Sequence, residues 1–128
     1  MKPVPFDQWK GCKDVLLAVP DYTPIEYTIV RELTITHGHN DSGYFQCDVI
    51  FQFSKAYEAA PLVKLTCSDV SGLEIRETHQ ISGLEFIDAK DRGLETRYEL
   101  HDYEGDAIKL YCKDFKIEPV EKSPNKAL

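Results

Sequence analysis

An antiparallel β-sandwich, or a single strongly curved sheet, is the architecture this sequence predicts: an all-β chain, or a mostly β chain with one or two short helices. Period-two alternation of apolar and polar residues recurs in both halves of the chain, and loops dense in turn formers separate the alternating segments. Room for helices is confined to the segment around Phe6 to Lys10 and to Ser54–Ala60, which Ser54 can cap and Pro61 ends.

The first hairpin is expected over 25–37 and 44–53. Odd positions Ile25, Tyr27, Ile29, Arg31, Leu33, Ile35 and His37 alternate with Glu26, Thr28, Val30, Glu32, Thr34 and Thr36, and Phe45, Cys47, Val49, Phe51 and Phe53 repeat the pattern. His39-Asn40-Asp41-Ser42-Gly43 supplies the turn. A second hairpin is expected over 94–103 and 107–117, joined by Glu104-Gly105-Asp106, whose glycine can take a positive φ. Its second strand changes parity between Cys112 and Phe115, which predicts a bulge near Lys113-Asp114. Between the hairpins lie a strand at Leu62–Ser68 and a near-repeat, Val70-Ser71-Gly72-Leu73-Glu74-Ile75 against Ile81-Ser82-Gly83-Leu84-Glu85-Phe86, read as two strand entries kinked at glycine. Val15–Val19 is a strand-sized apolar run stopped by Pro20. Residues 1–118 are expected to form a single domain and 119–128, with two prolines and no periodicity, a mobile tail.

Composition bounds the functional classes. A chain of 128 residues, 42% hydrophobic and 29% charged, is long enough to bury a core and lies well away from the disordered regime. No apolar run approaches a transmembrane length, and the two prolines and the aspartate of Met1-Lys2-Pro3-Val4-Pro5-Phe6-Asp7 do not resemble a secretory leader, so a cytoplasmic protein without a membrane partner is expected. The net charge of −7, of which residues 65–128 carry −5, disfavours nucleic acid and favours a basic protein partner. Cysteines 12, 47, 67 and 112 form no C-x-x-C pair, and the last three share strand parity with apolar residues, so they are expected to be reduced and buried.

Few residues suggest chemistry. His37-Gly38-His39 can point two imidazoles to one side of a strand and resembles the pair that opens the ligand set of cupin barrels. The glutamate that continues that motif is missing from Asn40 to Gly43, and the expected role is a polar hairpin loop with no metal. His101 and Asp102 are neighbours on a strand, so their side chains diverge and cannot form two members of a triad. No catalytic residue and no cofactor are assigned. Between 85 and 106 eight acids face three bases, which is either a charged sheet edge that blocks aggregation or a recognition surface with Tyr98 and Tyr103 as aromatic anchors. The partner-binding candidates are Glu99, Asp102, Tyr103, Glu104 and Asp106.

The run from Ile81 to Ile117, with Ile81-Ser82-Gly83-Leu84-Glu85-Phe86-Ile87-Asp88, Asp91-Arg92-Gly93, His101-Asp102-Tyr103-Glu104 and Ile108-Lys109-Leu110-Tyr111-Cys112, resembles small bacterial β-rich proteins of the polymorphic-toxin immunity type. That resemblance implies a non-enzymatic inhibitor that occludes a cognate toxin, here a basic domain met by an acidic surface. The alternative is a small-molecule-binding or metal-dependent β-barrel enzyme using His37 and His39, which requires a cavity lined by some of His37, His39, His79 and His101. Sequence does not fix the oligomeric state.

Overall fold

The computed structural model describes residues 3–39, 41–55, 61–77, 81–89, 98–102, 104 and 106–120. Among the described residues a 3-10 turn, Phe6–Gln8, leads to one helix, α1 (Cys12–Ala18). Eight described strands follow: β1 (Ile29–His39), β2 (Phe45–Ser54), β3 (Val63–Ser68), β4 (Ser71–Ile75), β5 (Leu84–Asp88), β6 (Tyr98–Asp102), β7 (Ile108–Cys112) and β8 (Asp114–Pro119). They form two four-stranded antiparallel sheets, β1-β2-β3-β8 and β4-β7-β6-β5, packed as a β-sandwich.

Both hairpins form, with changed limits. β1 starts at Ile29, four residues later than the alternation suggested, and runs on to His39 against Phe45; Arg31 bulges where the register steps from Val30 opposite Phe53 to Glu32 opposite Gln52. In the second hairpin β6 pairs with β7, while positions 94–97 lie outside the described residues. The segment 107–117 is not a single strand. At Lys113 the chain leaves the second sheet, and β8 joins the first beside β3. The parity change between Cys112 and Phe115 is therefore a change of sheet: both residues still face the core, but from opposite layers. The β3–β4 crossing occupies the same corner, where Lys113 N–H donates to Ser68 O at 3.1 Å and Lys113 Nζ pairs with Asp69 at 3.1 Å.

The apolar run Val15–Val19 is also corrected, because Cys12–Ala18 is helical. Cys12, Val15 and Val19 are buried at i, i+3 and i+7, the spacing of one helix face, while Leu16 and Leu17 are exposed. Of the other helical candidates, Phe6–Lys10 holds the 3-10 turn; Ser54 ends β2, and 56–60 lie outside the described residues. Pro119 pairs with Val63 and Val120 N–H donates to Leu62 O at 3.0 Å, while 121–128 of the expected tail lie outside the described residues.

Between the sheets the core is aromatic. The Phe86 ring of β5 stacks on Phe115 of β8 with centroids 3.6 Å apart, and Trp9 meets both edge-on at 5.0 and 5.7 Å. Trp9 Nε1–H donates to Val4 O at 3.0 Å, which satisfies its polar group inside the core. The two copies of the near-repeat become β4 and β5, the opposite edges of one sheet, each entered through a positive-φ glycine: Gly72 at 60° and Gly83 at 143°.

Candidate functional site

At one end of the second sheet, the turn after β6, the repeat entry Ile81-Ser82-Gly83 and the exit of β4 enclose an open cleft of about 490 Å³, lined by Arg76, Glu77, Ile81, Ser82, Asp102, Glu104 and Ala107. Asp102 organises it. Oδ1 accepts from Ser82 N–H at 2.8 Å and from the Ser82 hydroxyl, and Oδ2 accepts from Ala107 N–H at 3.2 Å. The same hydroxyl oxygen accepts from Glu104 N–H at 2.9 Å, which ties the turn back onto the repeat entry. Burial raises the Asp102 pKa, but hydrogen bonds from the Ser82 hydroxyl and from the Ala107, Ser82 and Gly83 N–H groups outweigh it and hold the carboxyl below its ordinary value.

Two of the partner-binding candidates are therefore misplaced as surface groups. Asp102 is 2% exposed because it shares parity with Leu100 and points inward, where turn donors replace apolar neighbours. Glu99 is 8% exposed, on the opposite face, in register between Ile87 and Tyr111. Tyr98 is not a surface anchor either, since its ring packs edge-on against Phe115 at 4.9 Å. Glu104 lines the cleft and is exposed, Asp106 is exposed next to the lining residue Ala107, and Tyr103 lies outside the described residues.

His101 and Asp102 diverge, as strand geometry requires. His101 belongs to a row that crosses the outer face of the sheet, Glu74, Lys109, His101 and Glu85 in register, with His101 Nε2 3.9 Å from Glu85 Oε1. His37 and His39 share a face near the end of the β1–β2 ribbon, in the other sheet, where His37 stacks on Phe45 at 5.4 Å and His39 meets it edge-on at 6.4 Å. Among the described residues no third His, Cys, Asp or Glu joins them in a metal-binding group. His79 lies outside the described residues. The cleft thus offers a carboxylate and a hydroxyl committed to each other, edged by exposed Glu77, Glu104 and Arg76.

Sequence reasoning missed Ser82, although its copy of the near-repeat drew attention to the segment. It also missed Glu77 and Arg76, which are brought to the cleft only by the β4–β7 pairing. Among the described residues no helix is long and apolar enough to cross a membrane. Neither the characterised proteins nor the solved structures give a significant match to the chain. The family model for Immunity protein PIM8 matches residues 13–118, from α1 through all eight strands into β8. A match of that extent places the cleft, the turn and both sheets inside the family's common unit, and the chain belongs to the Immunity protein PIM8 family.

Proposed function

We propose that this immunity protein neutralises its cognate toxin by direct, non-catalytic binding, and that the acidic turn end of the second sheet is the contact surface. The observation that carries the reading is that Glu77 and Glu104 line the cleft against a single base, Arg76, with exposed Asp106 next in sequence to the lining residue Ala107, while Asp102 and Ser82 hold the cleft from beneath. Glu104 and Ala107 are held by hydrogen bonds to Ser82 and Asp102, which lowers the entropy lost there on binding, and the carboxylates' field adds to that of a chain with net charge −7. The fitting partner is a basic toxin domain whose lysines and arginines surround its own active site, so that contact both steers the encounter and covers the substrate path. The alternative of a ligand-binding barrel requires a cavity lined by some of the histidines: His37 and His39 line a pocket of only about 120 Å³ with Thr36, Gly38, Gln46 and Asp48, and His101 stands apart from it on the outer face of the other sheet.

The test uses the product of the neighbouring gene as candidate toxin. Association should slow as salt rises, and by roughly tenfold or more in a variant carrying Glu77→Lys, Glu104→Lys and Asp106→Asn. Asparagine is chosen at 106 because that residue has φ of 50°, which asparagine tolerates and lysine does not. Unchanged binding by this variant sinks the surface assignment; failure of the candidate toxin to bind the unaltered protein sinks the binding reading for that pair.

A further inference from the structure

The two sheets end in four strand edges, three of them guarded. The outer side of β5 is met by the N-terminal segment, where Pro3 bridges Ile87 and Val4 N–H donates to Phe86 O at 2.8 Å. The outer side of β8 is met by the turn before α1, where Ile117 N–H donates to Lys10 O at 2.9 Å. β4 is five residues long and breaks register between Ser71 and Glu74. Among the described residues β1 has no such protection: beyond the Arg31 bulge, Glu32–His39 keeps unbroken register with β2, and no described strand pairs with its other side.

Sequence and exposure single out the same stretch. Leu33 to Asn40 is the longest run of the chain without Asp, Glu, Lys or Arg, the side chains that normally blunt an edge. β3 pairs with β2 only from Val49 onward; Val70 N–H still reaches Cys47 O at 2.7 Å and Leu33 and Cys47 pack partly against the core, but towards its tip the ribbon runs past the sandwich and is less covered. Ile35 is 43% exposed there, and Phe45 and Tyr44 near the tip are 64% and 73% exposed.

We propose that β1 is a strand-addition edge and that its occupant is β1 of a second copy, paired antiparallel about a two-fold axis through Ile35. Continuous core-side faces require residues of equal parity to stand opposite one another. With the axis at Ile35, that residue meets its own copy, Leu33 meets His37, Thr34 meets Thr36, and Glu32 meets Gly38. The apolar group left exposed is covered, threonines form cross-strand pairs, and no like charges are opposed. Arg31 of the bulge then falls opposite His39 at the strand end; with the axis one residue earlier it falls opposite His37, nearer the middle of the seam, and Ile35 meets Leu33 instead of its own copy. A chain of net charge −7 resists self-association in general, but the central seam from Leu33 to His37 carries no acid, and each Glu32 at its margin faces Gly38 and not another carboxylate. The same lack of charge makes the edge a poorer fit to a basic toxin than to itself. This proposal does not rest on the toxin-binding reading, which uses the other sheet.

Sedimentation of the full chain between about 1 and 100 µM, where a small interface of this kind dissociates, should show a dimer of the 14.6 kDa chain at the upper end. Ile35→Lys and Ile35→Glu each place like charges on the axis and should weaken the dimer roughly tenfold or more, while near-ultraviolet circular dichroism keeps its native form. An equimolar mixture of the two variants should recover the dimer, because lysine then faces glutamate; this holds even if one variant is individually less stable. A monomer throughout the range overturns the proposal. So does a dimer indifferent to both substitutions, or a mixture that stays monomeric. A monomeric wild type whose toxin binding is lost in Ile35→Lys also overturns it and assigns the edge to the toxin.

Discussion

Asp102 accepts both hydrogen bonds that Ser82 can donate to it, one from the backbone and one from the hydroxyl, across the 20 residues that separate them in sequence. A buried carboxylate is tolerated here because Ala107 N–H and the Ser82 donors replace water. The turn that carries Glu104 and Asp106 is thereby shaped by an interaction lying beneath it, and the acid most conspicuous beside His101 in the sequence supports the surface without belonging to it.

Asp102→Asn is expected to lower stability by about 1–3 kcal/mol at neutral pH, because an amide cannot accept from donors on both of its ends. Urea denaturation of both proteins measures this. The folded pKa of Asp102 is below its unfolded value, so its contribution is fully present above the ordinary aspartate value of about 3.9 and is lost as pH falls through the lower folded value. The gap between wild type and Asp102→Asn should therefore narrow in acid. A gap that stays constant from pH 7 to pH 2 contradicts the assignment.

How much of this could be read from the sequence depended on whether periodicity had one structural solution. The alternation through Ile29–Ile35 and Phe45–Phe53 had one, an antiparallel pair, and the hairpin formed. Five consecutive apolar residues from Val15 to Val19 fit a strand or a helix equally well; the deciding spacing, Cys12–Val15–Val19, begins before the run. The parity step from Cys112 to Phe115 fits either a bulge or a change of layer, and only β3, distant in sequence, selects the second. At the site the signal was present and outweighed: Asp102 shares parity with Leu100, but its charge suggested the surface. Glu77 and Ser82 carried no local sign, since long-range strand pairing brings them to the turn.

The Phe86–Phe115 stack joins the two sheets, so truncating either ring should be costly. Phe115→Ala and Phe86→Ala are each expected to lose about 3–5 kcal/mol. The double variant should lose less than their sum by about 0.5–1.5 kcal/mol, the coupling of an aromatic pair. Trp9, the single tryptophan, touches both rings and is the natural fluorescence probe. Strict additivity of the two truncations would show that the stack contributes nothing beyond burial.

Gly11, with φ of 94°, caps the N-terminus of α1 against the Ile117 carbonyl of β8, and a Cβ there collides with that backbone oxygen. Gly11→Ala should therefore cost well over the roughly 1 kcal/mol of an ordinary unfavourable glycine replacement, since neither the dihedral nor the space admits a side chain. Thermal melting is a sufficient measurement. A melting temperature equal to wild type contradicts the close docking of α1 on β8.

The four cysteines are free and differ in access, which a labelling experiment can separate. Parity placed Cys47, Cys67 and Cys112 together in the core, yet Cys47 is only half-buried, because β2 passes beyond the end of β3 before reaching it. Cys67 and Cys112 are fully enclosed, and burial foremost, with Cys112 alongside, pushes the Cys67 thiol far above its ordinary value. Burial, with the Asp48 and Asp69 carboxylates adding to it, also raises the Cys47 thiol. In the native protein Cys47 should react well before Cys67 and Cys112, and its rate should keep climbing as pH passes the ordinary thiol value of about 8.5, since a raised pKa delays formation of the reactive thiolate. In denaturant all four should label together. Peptide mapping after timed alkylation identifies each site, and native labelling of Cys67 or Cys112 as fast as Cys47 would mean that the corner between the two sheets opens far more readily than its packing and the Lys113–Ser68 hydrogen bond allow.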